Sequence, residues 1–123
     1  MILGIGLDVV SVDRLRKWQN IKGIFKRYFH ETEITAVEKK GSMKIHSLAA
    51  RFAAKEAYGK ALGTGLKGLS LNDIAVMNDE NGKPWMKLYG KARDSLRKIG
   101  GNKIFVSLTH EHDYALAVVV IEE

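Results

Sequence analysis

The sequence predicts an α+β fold: a small antiparallel-type sheet packed with a long central helix and shorter helices, in a single domain over residues 1–123. Three observations predict it. Apolar residues alternate with period two near both ends of the chain, over Ile2–Val10 and again over Lys103–Thr109. An Ala-rich stretch, Met43–Leu62, carries the longest helical pattern. The order is one strand, several helices, then strands with one helix among them, which disfavours a doubly wound parallel sheet.

Taken in order, Leu3, Ile5, Leu7 and Val9 give the first strand one apolar face, while Ile2, Gly4, Gly6, Asp8 and Val10 share the other. Ser11 caps a helix that runs to about Asn20. Ile21–Phe29 reads as a short amphipathic helix, and Thr32 as the cap of another that ends near Gly41. Met43–Leu62 is stopped by Gly63-Thr64-Gly65. Leu71–Met77 and Pro84–Leu88 are strands joined by Asn78-Asp79-Glu80-Asn81-Gly82, which has turn chemistry. Tyr89–Ile99 is a helix ending at Gly100-Gly101. Lys103–Thr109 and Tyr114–Ile121 form a hairpin around His110–Asp113.

Composition narrows the function. Hydrophobic residues are 46% and charged residues 28%, enough for a core and against disorder. The absence of cysteine removes disulfides, thiolate zinc sites and cysteine nucleophiles, and fits a reducing, cytoplasmic compartment. The longest apolar run, Tyr114–Ile121, falls well short of the about 20 residues of a membrane helix. The N-terminus does not read as a secretory signal. The net charge of +6 lies wholly in residues 1–60, densest at Arg14, Arg16, Lys17, Lys22, Lys26 and Arg27. Such a patch steers polyanions: nucleic acid, a membrane surface, a phosphorylated small molecule or an acidic protein. It equally describes a solvated basic surface.

Two acids stand out. Asp8 lies in an apolar strand, on the face where Gly4 and Gly6 leave room for a ligand or another backbone. There it requires a cation or a hydrogen-bonded turn. With about 100° per residue and Ile45 at zero, Leu48, Ala49 and Phe52 fall at roughly 300°, 40° and 340°, and Glu56 at roughly 20°. Glu56 therefore sits in the apolar stripe, whereas a surface pair with Lys60 is the plainer alternative. Two carboxylates with substrate oxygens and waters suit Mg²⁺ in phosphate chemistry. Arg51 and Lys55 flank the stripe, free to meet phosphates or water. His110 ends a strand and caps the core edge or meets a ligand; with His112 it forms a His-x-His pair lacking a local third metal ligand. Gly63-Thr64-Gly65 follows a helix instead of preceding one, so it is a helix stop before it is a phosphate loop.

Together, Gly4-Ile5-Gly6-Leu7-Asp8, Arg14, and Arg51-Phe52-Ala53-Ala54-Lys55-Glu56-Ala57-Tyr58-Gly59-Lys60 resemble holo-acyl-carrier-protein synthase. Asn81-Gly82-Lys83-Pro84, Val106-Ser107-Leu108-Thr109-His110 and Tyr114-Ala115-Leu116-Ala117 extend the resemblance across almost the whole chain. That family moves the 4′-phosphopantetheine arm of coenzyme A to a serine of acyl carrier protein for fatty acid biosynthesis, releasing adenosine 3′,5′-bisphosphate. The resemblance implies Mg²⁺ held by Asp8 and Glu56, with Lys60 near the diphosphate, these three forming the catalytic set. It implies coenzyme contacts at Lys44, Arg51, Lys60, Gly63, Pro84, Thr109 and His110. It implies contact of Arg14 with the acidic carrier, whose docking the positive charge of Lys22, Lys26 and Arg27 would help to steer, and a homotrimer without nucleic acid or membrane partners. Two positions depart from the family: Lys44 stands nearly alone where basic residues cluster before Arg51, and Glu111 follows His110 in place of Ser or Thr.

Phosphoryl-type transfer needs charge neutralisation and alignment more than covalent work. The attacking serine is neutral, and Glu56 cannot be both tight ligand and free base, so the base stays unassigned. Two other readings compete. A small nucleic-acid-binding module would use the basic charge and exposed aromatics such as Trp18 or Tyr28. A non-catalytic coenzyme binder is the other, and intact Asp8, Glu56 and Lys60 argue against it.

Overall fold

The computed structural model describes residues 1–123. In chain order the elements are β1 (Ile2–Ser11), α1 (Val12–Trp18), α2 (Ile24–Tyr28), α3 (Glu31–Glu38), α4 (Lys44–Leu62), β2 (Ile74–Asn78), β3 (Pro84–Leu88), α5 (Gly90–Lys98), β4 (Lys103–Glu111) and β5 (Tyr114–Glu122). The strands make two antiparallel sheets, one of three strands in the order β1-β5-β4 and one hairpin of β2 and β3. The α+β class and the central helix follow the sequence, while the single sheet resolves into two. No helix is long and apolar enough to cross a membrane.

The three-stranded sheet lies on α4, and the small residues decide which face goes inward. Buried Ala57 and Ala61 on α4 meet Gly4 and Gly6 on β1. A Cβ built on Gly4 would stand 1.9 Å from the Ala61 carbonyl oxygen, and one on Gly6 would stand 1.9 Å from that of Ala57. The space beside Gly4 and Gly6 is therefore filled by another backbone. The apolar face of β1 turns outward: Ile5, Leu7 and Val9 are 67%, 59% and 56% exposed. Phe105 and Leu116 extend that exposed apolar surface onto β4 and β5.

The periphery departs from the sequence reading in particular ways. Ser11 does stand at the cap of α1 but makes no side-chain cap hydrogen bond, and α1 stops at Trp18. Only Ile24–Tyr28 of the second stretch is helical. The cap of α3 is His30 and not Thr32: His30 Nδ1 accepts from the Thr32 N–H, and the His30 N–H donates to Glu33 Oε1 at 3.0 Å. Leu71–Asp73 forms a single 3-10 turn before β2. Gly63 ends α4 with φ of 84°, a left-handed conformation that glycine adopts at no steric cost.

Lys55 neither meets phosphate nor faces water. Lys55 and Glu33 are both 0% exposed, and their Nζ and Oε1 lie 2.6 Å apart. Nζ also donates to the carbonyls of Leu71 and Ile74, and Glu33 Oε2 accepts from the Val76 N–H. Burial pulls the Lys55 amine down from its ordinary range, and the Glu33 charge opposes that shift. A buried ion pair holds only when its remaining donors and acceptors are satisfied, as they are here. The pair ties α3, α4 and β2 into one unit. Tyr58 adds α5 to it, donating to the Ala92 carbonyl at 2.7 Å.

Gly6→Ala tests the close approach. Its new methyl meets backbone, which cannot swing aside, so chemical denaturation should show a loss of about 3 kcal/mol. Wild-type stability in this variant would mean that strand and helix do not touch as described.

Candidate active site

The contact between β1 and α4 also brings the two singled-out acids together. Asp8 lies two residues beyond Gly6 on the inward face of β1, and Glu56 precedes Ala57 on α4. Burial pushes the Glu56 carboxyl up from its ordinary value near 4.5, and the Asp8 charge adds to that rise. Arg14 and Lys60 pull it the other way. Lys60 does not pair with Glu56 one turn back. Its Nζ donates to Asp8 Oδ1 and to the Leu7 carbonyl, each at 3.0 Å. The Asp8 side chain is 17% exposed, so this pair is more sheltered than an ordinary surface ion pair.

Arg14, the third residue of α1, is held by aromatic faces. Its guanidinium carbon lies 5.2 Å from the Trp18 ring centroid and 5.1 Å from that of Phe52. Trp18, Tyr28 and Phe52 pack on one another, with Trp18 to Phe52 edge-on at 5.1 Å. Trp18 and Tyr28 are thus part-buried components of the core margin and not the exposed aromatics that the nucleic-acid reading expected.

A cleft of about 540 Å³ opens on the same inner side of the sheet. Lys40, Ser47, Arg51, Asn78, Pro84 and His110 are among its lining residues. The register connects it to the acids: Asp8 and Leu108 both pair with Ala117, so they share one row across the sheet, and Leu108 lines the cleft. Arg51 is held in the wall. Its Nη2 donates to Asn78 Oδ1 at 2.8 Å, its Nε to the Val76 carbonyl, and its Nη1 to Ser47 Oγ. Desolvation pulls the Arg51 guanidinium down, opposed by Glu33, yet a guanidinium keeps its charge in proteins.

Of the residues expected from sequence, Asp8, Glu56, Lys60 and Arg14 converge, and Arg51, Pro84 and His110 line the cleft. Lys44, Gly63 and Thr109 do not line it. Lys44 pairs with Glu38 at 3.1 Å, Gly63 caps α4, and Thr109 borders a shallow depression with Leu7 and Leu116. Lys22, Lys26 and Arg27 are exposed around α2, with Arg27 over the Tyr28 ring at 5.6 Å. Sequence reasoning missed Lys40, Ser47 and Asn78 in the cleft. Ser47 had a signal: it lies four residues before Arg51, one helical turn away.

Residues 4–119 match the 4′-phosphopantetheinyl transferase superfamily. The chain belongs to that family. It is 53% identical over 122 residues to a holo-[acyl-carrier-protein] synthase of Treponema denticola, with 99% of each chain covered. Among solved structures, the holo-[acyl-carrier-protein] synthase of Neisseria meningitidis superposes with a TM-score of 0.88 at 36% identity, covering 100% of both chains. That of Helicobacter pylori, in complex with coenzyme A, superposes with a TM-score of 0.82 at 31% identity over 96% of this chain and 99% of that one. The transferase fold and the holo-acyl-carrier-protein synthase type are therefore those of this chain.

The raised Glu56 carboxyl has a measurable consequence. A group whose pKa is higher in the folded state contributes stability at low pH that is lost as pH rises through its folded value. Glu56→Gln should therefore match wild type in thermal unfolding below about pH 4.5 and exceed it at neutral pH, without divalent cation. A variant less stable than wild type at neutral pH would contradict the assigned environment.

Proposed function

We propose that this transferase moves the 4′-phosphopantetheine arm of coenzyme A to a serine of acyl carrier protein, with Mg²⁺ at Asp8 and Glu56. The observation that carries the reading is the approach of these acids where β1 lies on α4, with a cleft walled by Lys40, Arg51 and His110 on the same face of the sheet, two strands from Asp8. The acid pair fits a hard cation: two adjacent carboxylates, one driven toward its neutral form, are relieved by shared positive charge. When bound, the ion would neutralise the diphosphate and favour departure of adenosine 3′,5′-bisphosphate.

The chain's own groups supply binding and alignment. Arg51, fixed by three acceptors, presents a rigid cation to a phosphate, and Lys40 takes the place expected for Lys44 at the 3′-phosphate. Lys60, held at Asp8, would offset charge that grows on the leaving phosphate. The serine oxygen bonds to the phosphorus bearing the pantetheine arm as that phosphorus loses its bridging oxygen. Arg14, Lys22, Lys26 and Arg27 steer the acidic carrier, Arg14 with its guanidinium already oriented by Trp18 and Phe52. The exposed apolar sheet face, with Ile5, Leu7, Val9 and Phe105, supports association of copies into the homotrimer that the family resemblance implies. The same reading places the enzyme in cytoplasmic fatty acid biosynthesis.

Incubation with coenzyme A, Mg²⁺ and apo-carrier protein should raise the carrier's mass by one phosphopantetheine arm. Asp8→Ala and Glu56→Ala should each cut that rate by about 10²-fold or more while circular dichroism stays native. Full turnover by both variants at limiting Mg²⁺ would sink the site. Arg14→Glu should raise the carrier KM by about tenfold and leave the coenzyme A KM nearly unchanged. An unmoved carrier KM would remove Arg14 from docking.

A further inference from the structure

His110 stands on the cleft wall two residues before a turn whose shape is not self-sustaining. His112, in that turn, is the only non-glycine residue with positive φ, at 41°. A side chain in this region is disfavoured and persists where surrounding contacts impose it. The His112 imidazole does not impose it, because that ring is 89% exposed. The backbone on either side is held instead. The Asp113 carbonyl accepts from the Val12 N–H at 2.8 Å, at the start of α1. The His112 carbonyl lies 2.9 Å from Nε2 of His46, in the first turn of α4.

A carbonyl only accepts, so Nε2 of His46 carries the proton in this bond. Nδ1 of His46 is buried with no hydrogen-bond partner. The single hydrogen bond of this ring is thus the one to the turn. The same ring also faces His110, with centroids 5.4 Å apart and planes tilted by 52°. His46 precedes Ser47, the residue that accepts from Arg51 in the cleft wall. One turn of α4 therefore touches two walls of the cleft, Arg51 through Ser47 and His110 through His46.

We infer that His46 is a positioning residue for coenzyme binding: it ties the β4–β5 turn to α4 and so sets where the His110 ring stands in the cleft. The inference rests on the reading that His110 meets a phosphate of coenzyme A. It gives His46 no contact with the reacting atoms and no part in carrier docking. Its loss should therefore weaken coenzyme binding alone.

The test measures kcat and both KM values for His46→Ala, His46→Phe, His46→Gln, His110→Ala and the His46→Ala/His110→Ala double variant. His46→Ala should raise the coenzyme A KM about fivefold and leave kcat and the carrier KM within about twofold. His46→Phe keeps a ring but no donor, and should behave like His46→Ala even if the alanine variant folds poorly. His46→Gln restores an N–H near the Nε2 position and should return the coenzyme A KM to within about twofold of wild type. His110→Ala should raise that KM at least as much, and adding His46→Ala to it should change little further. An unchanged coenzyme A KM in both His46→Ala and His46→Phe, with His110→Ala impaired, overturns the tether and leaves the site reading intact. Additive effects in the double variant, or failure of Gln to rescue, also overturn it. An unimpaired His110→Ala removes both the phosphate contact and the tether that depends on it.

Discussion

The backbone of β1 lies directly on the backbone of α4, and the rest of the structure is arranged around that contact. Gly4 and Gly6 carry no side chain between strand and helix, and Ala57 and Ala61 offer only methyl groups. None of the four is catalytic in its own right. Their smallness lets Asp8 come close enough to raise the Glu56 carboxyl. A larger side chain at either glycine would wedge the elements apart by the width of a methyl group or more, and charge coupling between the acids falls with every ångström. The approach of the two acids is in this sense a property of a packing surface.

The helix must also be held in rotation, because Glu56 is useful only if it points along β1. The buried pair of Lys55 and Glu33 supplies that restraint from a neighbouring face of α4. Neighbours on a helix are about 100° apart, so fixing Lys55 among three acceptors fixes the direction of Glu56 as well. Arg51, one turn earlier, is bound to β2 through Val76 and Asn78. Cost enters through burial: a lone charge in the Lys55 position would be unfavourable by several kcal/mol, whereas the full set of partners offsets it. The same helix therefore turns Glu56 toward β1 and Arg51 into the wall of the cleft.

Periodicity made the main elements legible and singled out Asp8 and Glu56 one by one, while only the family resemblance grouped them with Lys60 and Arg51. Period two defines the two faces of β1 but not which one is inward. The more apolar face, Ile5-Leu7-Val9, is outside because only the glycine face admits a helix at backbone contact. Lys55 sits at the flank of the stripe by helical angle, and nothing local announces a partner 22 residues away in Glu33. His30 escaped as a cap because imidazole is not among the usual capping side chains, although Glu33 three residues later completes the reciprocal bond. Lys44 and Lys40 are alike in sequence, and the choice between them is made by Glu38, which holds Lys44 away from the cleft. What local patterns left open was in each case settled by a contact between distant segments.

The account turns on one divalent ion shared by an acid from a strand and an acid from a helix. Anomalous diffraction from crystals grown with Mn²⁺ and coenzyme A locates such an ion directly. The account predicts one strong peak per chain, with an oxygen of Asp8 and an oxygen of Glu56 each roughly 2.1 Å from it, the distance of a hard-cation bond. An ion bound to the coenzyme's diphosphate but out of reach of either carboxylate would contradict it.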